Sequence, residues 1–128
     1  MDSGKVIIEN DKKNVVADKS FALALRVVKL SQYLNKDKKE YVLSKQVLRS
    51  GTAVGALIRE AEHAQSKADF ISKMSISLKE ANETVYWLDL LHQSEYIDQS
   101  AYDSIYPDAI EVLKLLVAIV KRSRVNNG

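Results

Sequence analysis

Two histidines in this chain each follow a carboxylate by three positions, Glu60 with His63 in "EAEH" and Asp89 with His92 in "DLLH". On a helix, such residues share a face, and paired Glu-x-x-His motifs from two helices are one way a di-metal centre is built into a helical bundle. The chain distance argues against that use. His63 falls where two helical segments turn, near Gln65 and Ser66, whereas His92 lies a further 26 or so residues along, about 40 Å of helix. The two pairs cannot share one ion within a subunit, so neither a metal nor any other cofactor is expected. The chain has no cysteine, which removes thiolate ligands, disulfides and a cysteine nucleophile. No Ser/His/Asp order suggests a catalytic triad, and an enzyme is not expected. Glu80 and Glu83 have the residue types for general acid–base work. However, the register of a helical hairpin sets them level with Arg49 and Gly51, so a structural ion pair with Arg49 is the favoured reading.

The remaining chemistry is basic. Lys45, Arg49 and Arg59 project within about 40° of one line on a helical wheel at 100° per residue, together with Thr52, Ala56 and His63. A second set, Lys121, Arg122 and Arg124, lies in "KRSRVNNG" at the C-terminus. Both sets are candidate phosphate contacts for structured RNA or DNA. The simpler readings are a solvated helix face for the first and complementation of a helix dipole for the second, because acids lead that helix and bases close it. The net charge is +2 with a pI near 8.7, weaker than the usual footprint of a nucleic-acid binder. In a symmetric oligomer, though, each basic patch is repeated.

These residues need helices to position them. The 128 residues are 46% hydrophobic and 28% charged, with one proline and four glycines, the composition of one globular domain. The spacing predicts four helices. The first, Ser20 to Leu34, carries two adjacent apolar stripes (Phe21, Ala24, Leu25, Val28 and Leu23, Val27, Leu30, Leu34). The second, Tyr41 to Ala64, has a core face of Leu43, Val47, Val54, Ile58 and Ala61. The third, Lys67 to Ser94, opens with Ser66 and Asp69 as a capping box, and its seam is Ile71, Met74, Leu78, Ala81, Val85 and Leu88. The fourth, Asp98 to Arg124, contains Pro107 and a stripe of Tyr102, Ile105, Ala109, Val112, Leu113, Leu116 and Val120, with Ile110, Leu115, Val117 and Ile119 outside it. Residues 1–17 read as a flexible N-terminal arm, 18–125 as the bundle and 126–128 as a tail.

The first and fourth helices are wider in apolar surface than a monomeric bundle requires. Exposed surface of that kind marks subunit or partner contacts, so a homo-oligomer is expected. Gly51 and Gly55 sit one turn apart on the shoulder of the second helix, where each costs about 1 kcal/mol relative to alanine. A small-x-x-x-small shoulder admits a neighbouring backbone, from the same chain or another subunit. The alternative is close approach of a phosphate backbone. The N-terminus lacks the apolar core of a signal peptide and no apolar run approaches the length of a membrane span. The expectation is a soluble cytoplasmic protein without a membrane partner.

"LSKQVLRSGTAVGALIREA", "SKADFISKMSISLKEANETVYWLDLL" and "DKSFALALRVVKLSQYL" together resemble the four-helix-bundle proteins encoded in intervening sequences of bacterial 23S rRNA genes, relatives of the accessory variability protein of diversity-generating retroelements. The resemblance runs from Val15 to Val120. It implies an up-down antiparallel four-helix bundle, a ring-like homopentamer and no enzymatic activity. It also implies, through the retroelement relative, binding to nucleic acid and to a protein partner. Arg49, Arg59, Glu60, Glu80 and Glu83 match charged positions of the family. Where the family pattern has Gly-Ala-Asn, this chain has Gly55, Ala56 and Leu57, and its charge is lower than that of the basic retroelement relative. Two functions follow as expectations: an accessory factor that binds structured RNA or DNA, or a protein-interaction scaffold without nucleic-acid affinity.

Overall fold

The computed structural model describes the backbone of residues 3–127 and the side chains of 15–125. They form four helices, α1 (Ser3–Lys36), α2 (Leu43–Ala61), α3 (Lys67–Gln93) and α4 (Gln99–Asn127), with no strand among the described residues. Each helix packs on the next and α4 returns to α1, whereas the diagonal pairs do not touch. Adjacent helices meet in opposite chain sense. On α2 and α3, Ser50 meets Thr84 and Val54 meets Ser77. On α3 and α4, Asp89 meets Tyr102 and Ser75 meets Arg124.

The helix ends have local causes. Glu40 caps α2 from the preceding loop, its carboxylate accepting the backbone N–H groups of Val42, Leu43 and Ser44 at 3.2, 2.9 and 2.8 Å. An anion there also opposes the positive end of the helix dipole. Ser66 Oγ accepts the Asp69 N–H at 3.0 Å to start α3, and Asp98 Oδ1 accepts the Ala101 N–H at 2.8 Å to start α4. At the end of α3 the Tyr96 N–H reaches the Leu91 carbonyl and the Glu95 N–H the His92 carbonyl, a Schellman closure. It holds Glu95 at a φ of 67°, where glycine is the usual occupant.

Four expectations are corrected. Helix α1 starts at Ser3, not Ser20, so residues 3–17, read as a flexible arm, are helical. The reason lies partly in Val16, which is fully buried and extends the seam of Ser20, Leu23, Val27 and Leu34 by a turn. At the other end α4 runs through Asn127 rather than stopping at Arg124, while residues 1, 2 and 128 lie outside those described. On α3 the buried seam is Met74, Ser77, Ala81, Thr84, Leu88 and Leu91, with Leu78 and Val85 half-buried beside it. Ser77 and Thr84 tolerate burial because their hydroxyls are satisfied. Ser77 Oγ donates to the Val54 carbonyl at 2.9 Å, and Thr84 Oγ1 lies 2.8 Å from the Glu80 carbonyl and 3.0 Å from Ser50 Oγ. Lastly, Ile119 on α4 is buried, not outside the core stripe.

Pro107 lies inside a continuous α4. It has no N–H, so it leaves the Asp103 carbonyl without its helical donor; Arg26 of α1 donates one residue further on, beside that gap rather than into it. Its Nη1 donates to the Ser104 carbonyl and to Asp108 Oδ2, both at 2.8 Å, and Nη2 to Ser104 Oγ at 2.6 Å. With the Lys19–Glu111 pair at 3.3 Å, this contact ties α1 to α4.

The glycines set the approach of α1 to α2. A Cβ on Gly51 would lie 2.8 Å from both methyl groups of Val27, closer than packed atoms allow. One on Gly55 would meet Ser20 Oγ at 3.3 Å and the Ser20 backbone at 3.6 Å. Alanine favours the helix by about 1 kcal/mol, whereas overpacking beside a stiff β-branched side chain costs about 1–3 kcal/mol. Gly51→Ala is therefore expected to lower the unfolding free energy, and Gly55→Ala to leave it within about 0.5 kcal/mol of wild type. Denaturant titration of both variants checks this, and equal stability of Gly51→Ala and wild type would contradict the close packing. Glu95→Gly relieves a left-handed residue and is expected to stabilise by about 0.5–1 kcal/mol, read in the same titration.

Candidate functional site

The basic stripe foreseen on α2 does not present three equivalent cations. Arg49 reaches across to α3, where Nη1 donates to Glu80 Oε1 at 3.1 Å and Nη2 to Glu83 Oε2. That same Glu83 oxygen accepts the Trp87 indole N–H at 3.1 Å. One guanidinium is shared between two carboxylates, so this patch repels a phosphate as much as it attracts one. The hydrogen bond to Arg49, then that to Trp87, holds the Glu83 carboxyl below its ordinary range, and the bond to Glu83 raises the Arg49 guanidinium in turn.

The other candidates lie in different places. Arg59 sits with its guanidinium 5.9 Å from the centroid of the Phe21 ring, within cation–π range. Lys45 is exposed near the opposite end of α2, next to the Ser44–Asn35 contact. Lys121 and Arg122 are exposed on the last turns of α4 and make no ion pair among the described residues. Arg124 donates to Ser75 Oγ at 3.2 Å. Register relates these positions. Glu60 of α2 pairs with Lys73 of α3 at 4.0 Å, two residues from Ser75, so Arg59 and the C-terminal cations occupy one end of the bundle and Lys45 the other. Arg59 and the C-terminal cations nevertheless lie on α2 and α4, which are diagonal to one another. Gly51 and Gly55 face α1 of the same chain.

The Asp89–His92 pair is committed to other contacts. Asp89 Oδ1 accepts the Tyr102 phenol at 2.5 Å. The His92 ring stacks on Tyr102, with centroids 4.1 Å apart and planes 11° apart, and its Nε2 lies 3.0 Å from Gln99 Oε1. Burial, and then the bond to Asp89, push the Tyr102 phenol well above its ordinary value, so it acts as a hydrogen-bond donor rather than a proton carrier. His63 is exposed beyond the end of α2. No cluster of three metal-ligating side chains occurs among the described residues, and no helix there is long and apolar enough to cross a membrane. Sequence reasoning missed Arg26 altogether and placed Tyr102 in the apolar stripe. No local signal in the sequence marked Tyr102, because its partners Asp89 and His92 lie on another helix.

The depressed Glu83 pKa makes a stability prediction. A carboxyl whose folded pKa is lowered stabilises the fold above its unfolded pKa, and this contribution is lost as pH falls through the folded value. Arg49→Gln removes the cause. Near neutral pH the variant is expected to be less stable, by under about 1 kcal/mol because Arg49 is half exposed. The difference should close as pH falls below the ordinary glutamate range. Unfolding free energies measured across pH 2.5–7 check this, and a gap that persists at the acid end would contradict it.

Comparison with known proteins places this geometry. Residues 12–118 match the family model described as 23S rRNA-intervening sequence protein. A crystal structure of a protein of unknown function from the S23 ribosomal protein family of Bacteroides thetaiotaomicron is 58% identical and superposes with a TM-score of 0.84, covering 86% of this chain and 98% of that one. None of the curated proteins matches the chain. With most of its length inside that model, and helices in the order the resemblance implies, the chain belongs to the 23S rRNA-intervening sequence protein family.

Proposed function

We propose that this protein is a non-enzymatic accessory factor, an up-down four-helix bundle that assembles into a ring-like homo-oligomer in the cytoplasm and binds structured RNA or DNA through cations repeated around the ring. The observation that carries the nucleic-acid reading is the exposed pair Lys121 and Arg122, which no described carboxylate neutralises. Arg59 lies at the same end of the bundle, so one face of an assembly would present these cations together. Arg49 is removed from the phosphate-binding set because two carboxylates already hold it. Lys45 is too far along α2 to join that end. The resemblance to retroelement accessory proteins supports the same reading.

A protein-interaction scaffold is the second reading, favoured by the exposed apolar residues Phe21 and Leu25 on α1. Fluorescence anisotropy of labelled structured RNA and duplex DNA across a salt series separates the two. The accessory-factor reading expects binding that weakens steeply with salt. It also expects at least a tenfold loss in Lys121→Glu/Arg122→Glu and little change in Arg49→Glu. No binding at low salt would overturn it in favour of the scaffold. Equal loss in both variants would move the interface to the α2 stripe.

A further inference from the structure

We infer that the hollow between α1 and α4 is a binding site for an unpaired stretch of RNA or single-stranded DNA, with one base seated in the hollow and the phosphates beside it held on α1. The site lies apart from the end-face cations proposed above and does not depend on them. The hollow has a volume of about 590 Å³, within the roughly 300–1,000 Å³ usual for ligand clefts. Its floor is apolar, formed by Leu30 of α1, Ile105 of α4 and Ile97 just before that helix. Ile97 and Ile105 are buried, whereas Tyr33 at the wall is 39% exposed. The small side chain of Ala101 keeps the space open. An apolar floor beside an exposed phenol suits a nucleobase, because every base presents a π-face for stacking.

Charge selects an anionic ligand. Lys29 lies one turn before Tyr33 and Lys36 one turn after it, at spacings of four and three that set all three on one face of α1. Both lysines are exposed and neither joins an ion pair among the described residues. They stand about 10 Å apart along the helix, a span that suits the phosphates on either side of a seated base better than the single phosphate of a mononucleotide. The turn beyond α1 adds Lys38 and Lys39 against Asp37, all exposed, while Glu40 is occupied by the backbone of α2.

The remaining polar groups can face the base. Ser104 Oγ accepts from Arg26 Nη2, which leaves its own proton to donate into the hollow. Asp98 is the one carboxylate among the lining residues, and its Oδ1 is turned to the start of α4, where it accepts the Ala101 N–H. Its second oxygen is placed to accept from the amino group of adenine, cytosine or guanine. The larger hollow between α1 and α2, about 900 Å³, does not suit a strand, because Asp18, Glu60 and Glu62 outnumber its single cation Arg59. The end-face cations are a separate place, since about 30 Å of helix divides Ala101 from Lys121.

Fluorescence anisotropy of a labelled five-nucleotide oligoadenylate tests the site, with each variant kept only if its circular dichroism matches wild type. The wild type is expected to bind this strand at low salt, and to bind an abasic strand of equal charge about tenfold more weakly because stacking is lost. Tyr33→Ala, and Ala101→Leu, which fills the hollow without touching a lysine, are each expected to lose about tenfold. Tyr33→Phe keeps the ring face and is expected to match wild type. Lys29→Gln and Lys36→Gln are each expected to flatten the dependence of log affinity on log salt by about 0.7, a change that a purely structural role would not produce. Lys121→Glu/Arg122→Glu is expected to leave this affinity unchanged. Absence of binding at low salt, equal binding of the abasic strand, or wild-type affinity in both Tyr33→Ala and Ala101→Leu would overturn the inference. So would a loss confined to the Lys121→Glu/Arg122→Glu variant, or adenosine monophosphate competing as well as the strand. Failure of structured RNA and duplex DNA to bind would bear on the end-face reading alone.

Discussion

The close approach of α1 to α2 at Gly51 decides much of what the surface offers. The absent Cβ lets Val27 pack against the α2 backbone, and Ser20 fills the equivalent place beside Gly55. That contact sets the rotation of α1. With Ser20, Leu23, Val27 and Leu34 turned inward, Phe21 and Leu25, about 130° and about 170° away on the helix, must face out. The helix cannot be turned to bury both stripes, because the bundle gives α1 only two neighbours, α2 and α4. The exposed apolar groove is thus a consequence of core packing, and the glycines act on the surface from inside.

A similar economy governs the seam between α2 and α3. Ser50, Ser77 and Thr84 are fully buried, a placement that would be costly for bare hydroxyls. Each is instead matched to a nearby carbonyl or hydroxyl, and no buried side-chain polar atom among those described lacks a partner. Small side chains let the two helices approach, and the hydroxyls donate to backbone carbonyls that also serve the helical ladder, so the buried hydroxyls are themselves satisfied. Above this seam lies the Arg49–Glu80–Glu83–Trp87 cluster, which covers the joint with one cation held by two carboxylates. The same proximity that stabilises the pair takes its cation out of any phosphate-binding stripe.

The electrostatic character of the protein is therefore one of separated faces rather than a basic whole. Carboxylates gather beside the α1–α2 groove, Lys79 and Arg124 beside a shallower hollow between α3 and α4, and Lys121 and Arg122 stand exposed on the last turns of α4. Within one chain the charges nearly balance, at +2.

The sequence by itself determined that the chain is helical, that there are four helices, where α3 and α4 begin, and that Arg49 lies level with Glu80 and Glu83. These are local or nearly local properties: apolar periodicity, a capping serine or aspartate, and the register of a short hairpin. The tertiary structure decided the rest. Ser77 and Thr84 entered the core because carbonyls of α2 and α3 were there to receive them, which hydropathy cannot show. Val16 carried the core seam of α1 one turn before Ser20 because it packs in a core that a polar stretch of sequence conceals. Arg26 found the turn of Pro107 across a gap of 78 residues, and Tyr102 found Asp89 and His92 on another helix. The six candidate cations were separated in the same way. Their positions on a helical wheel were legible, but a cation is free only when no carboxylate on a neighbouring helix reaches it, and that depends on which helices become neighbours.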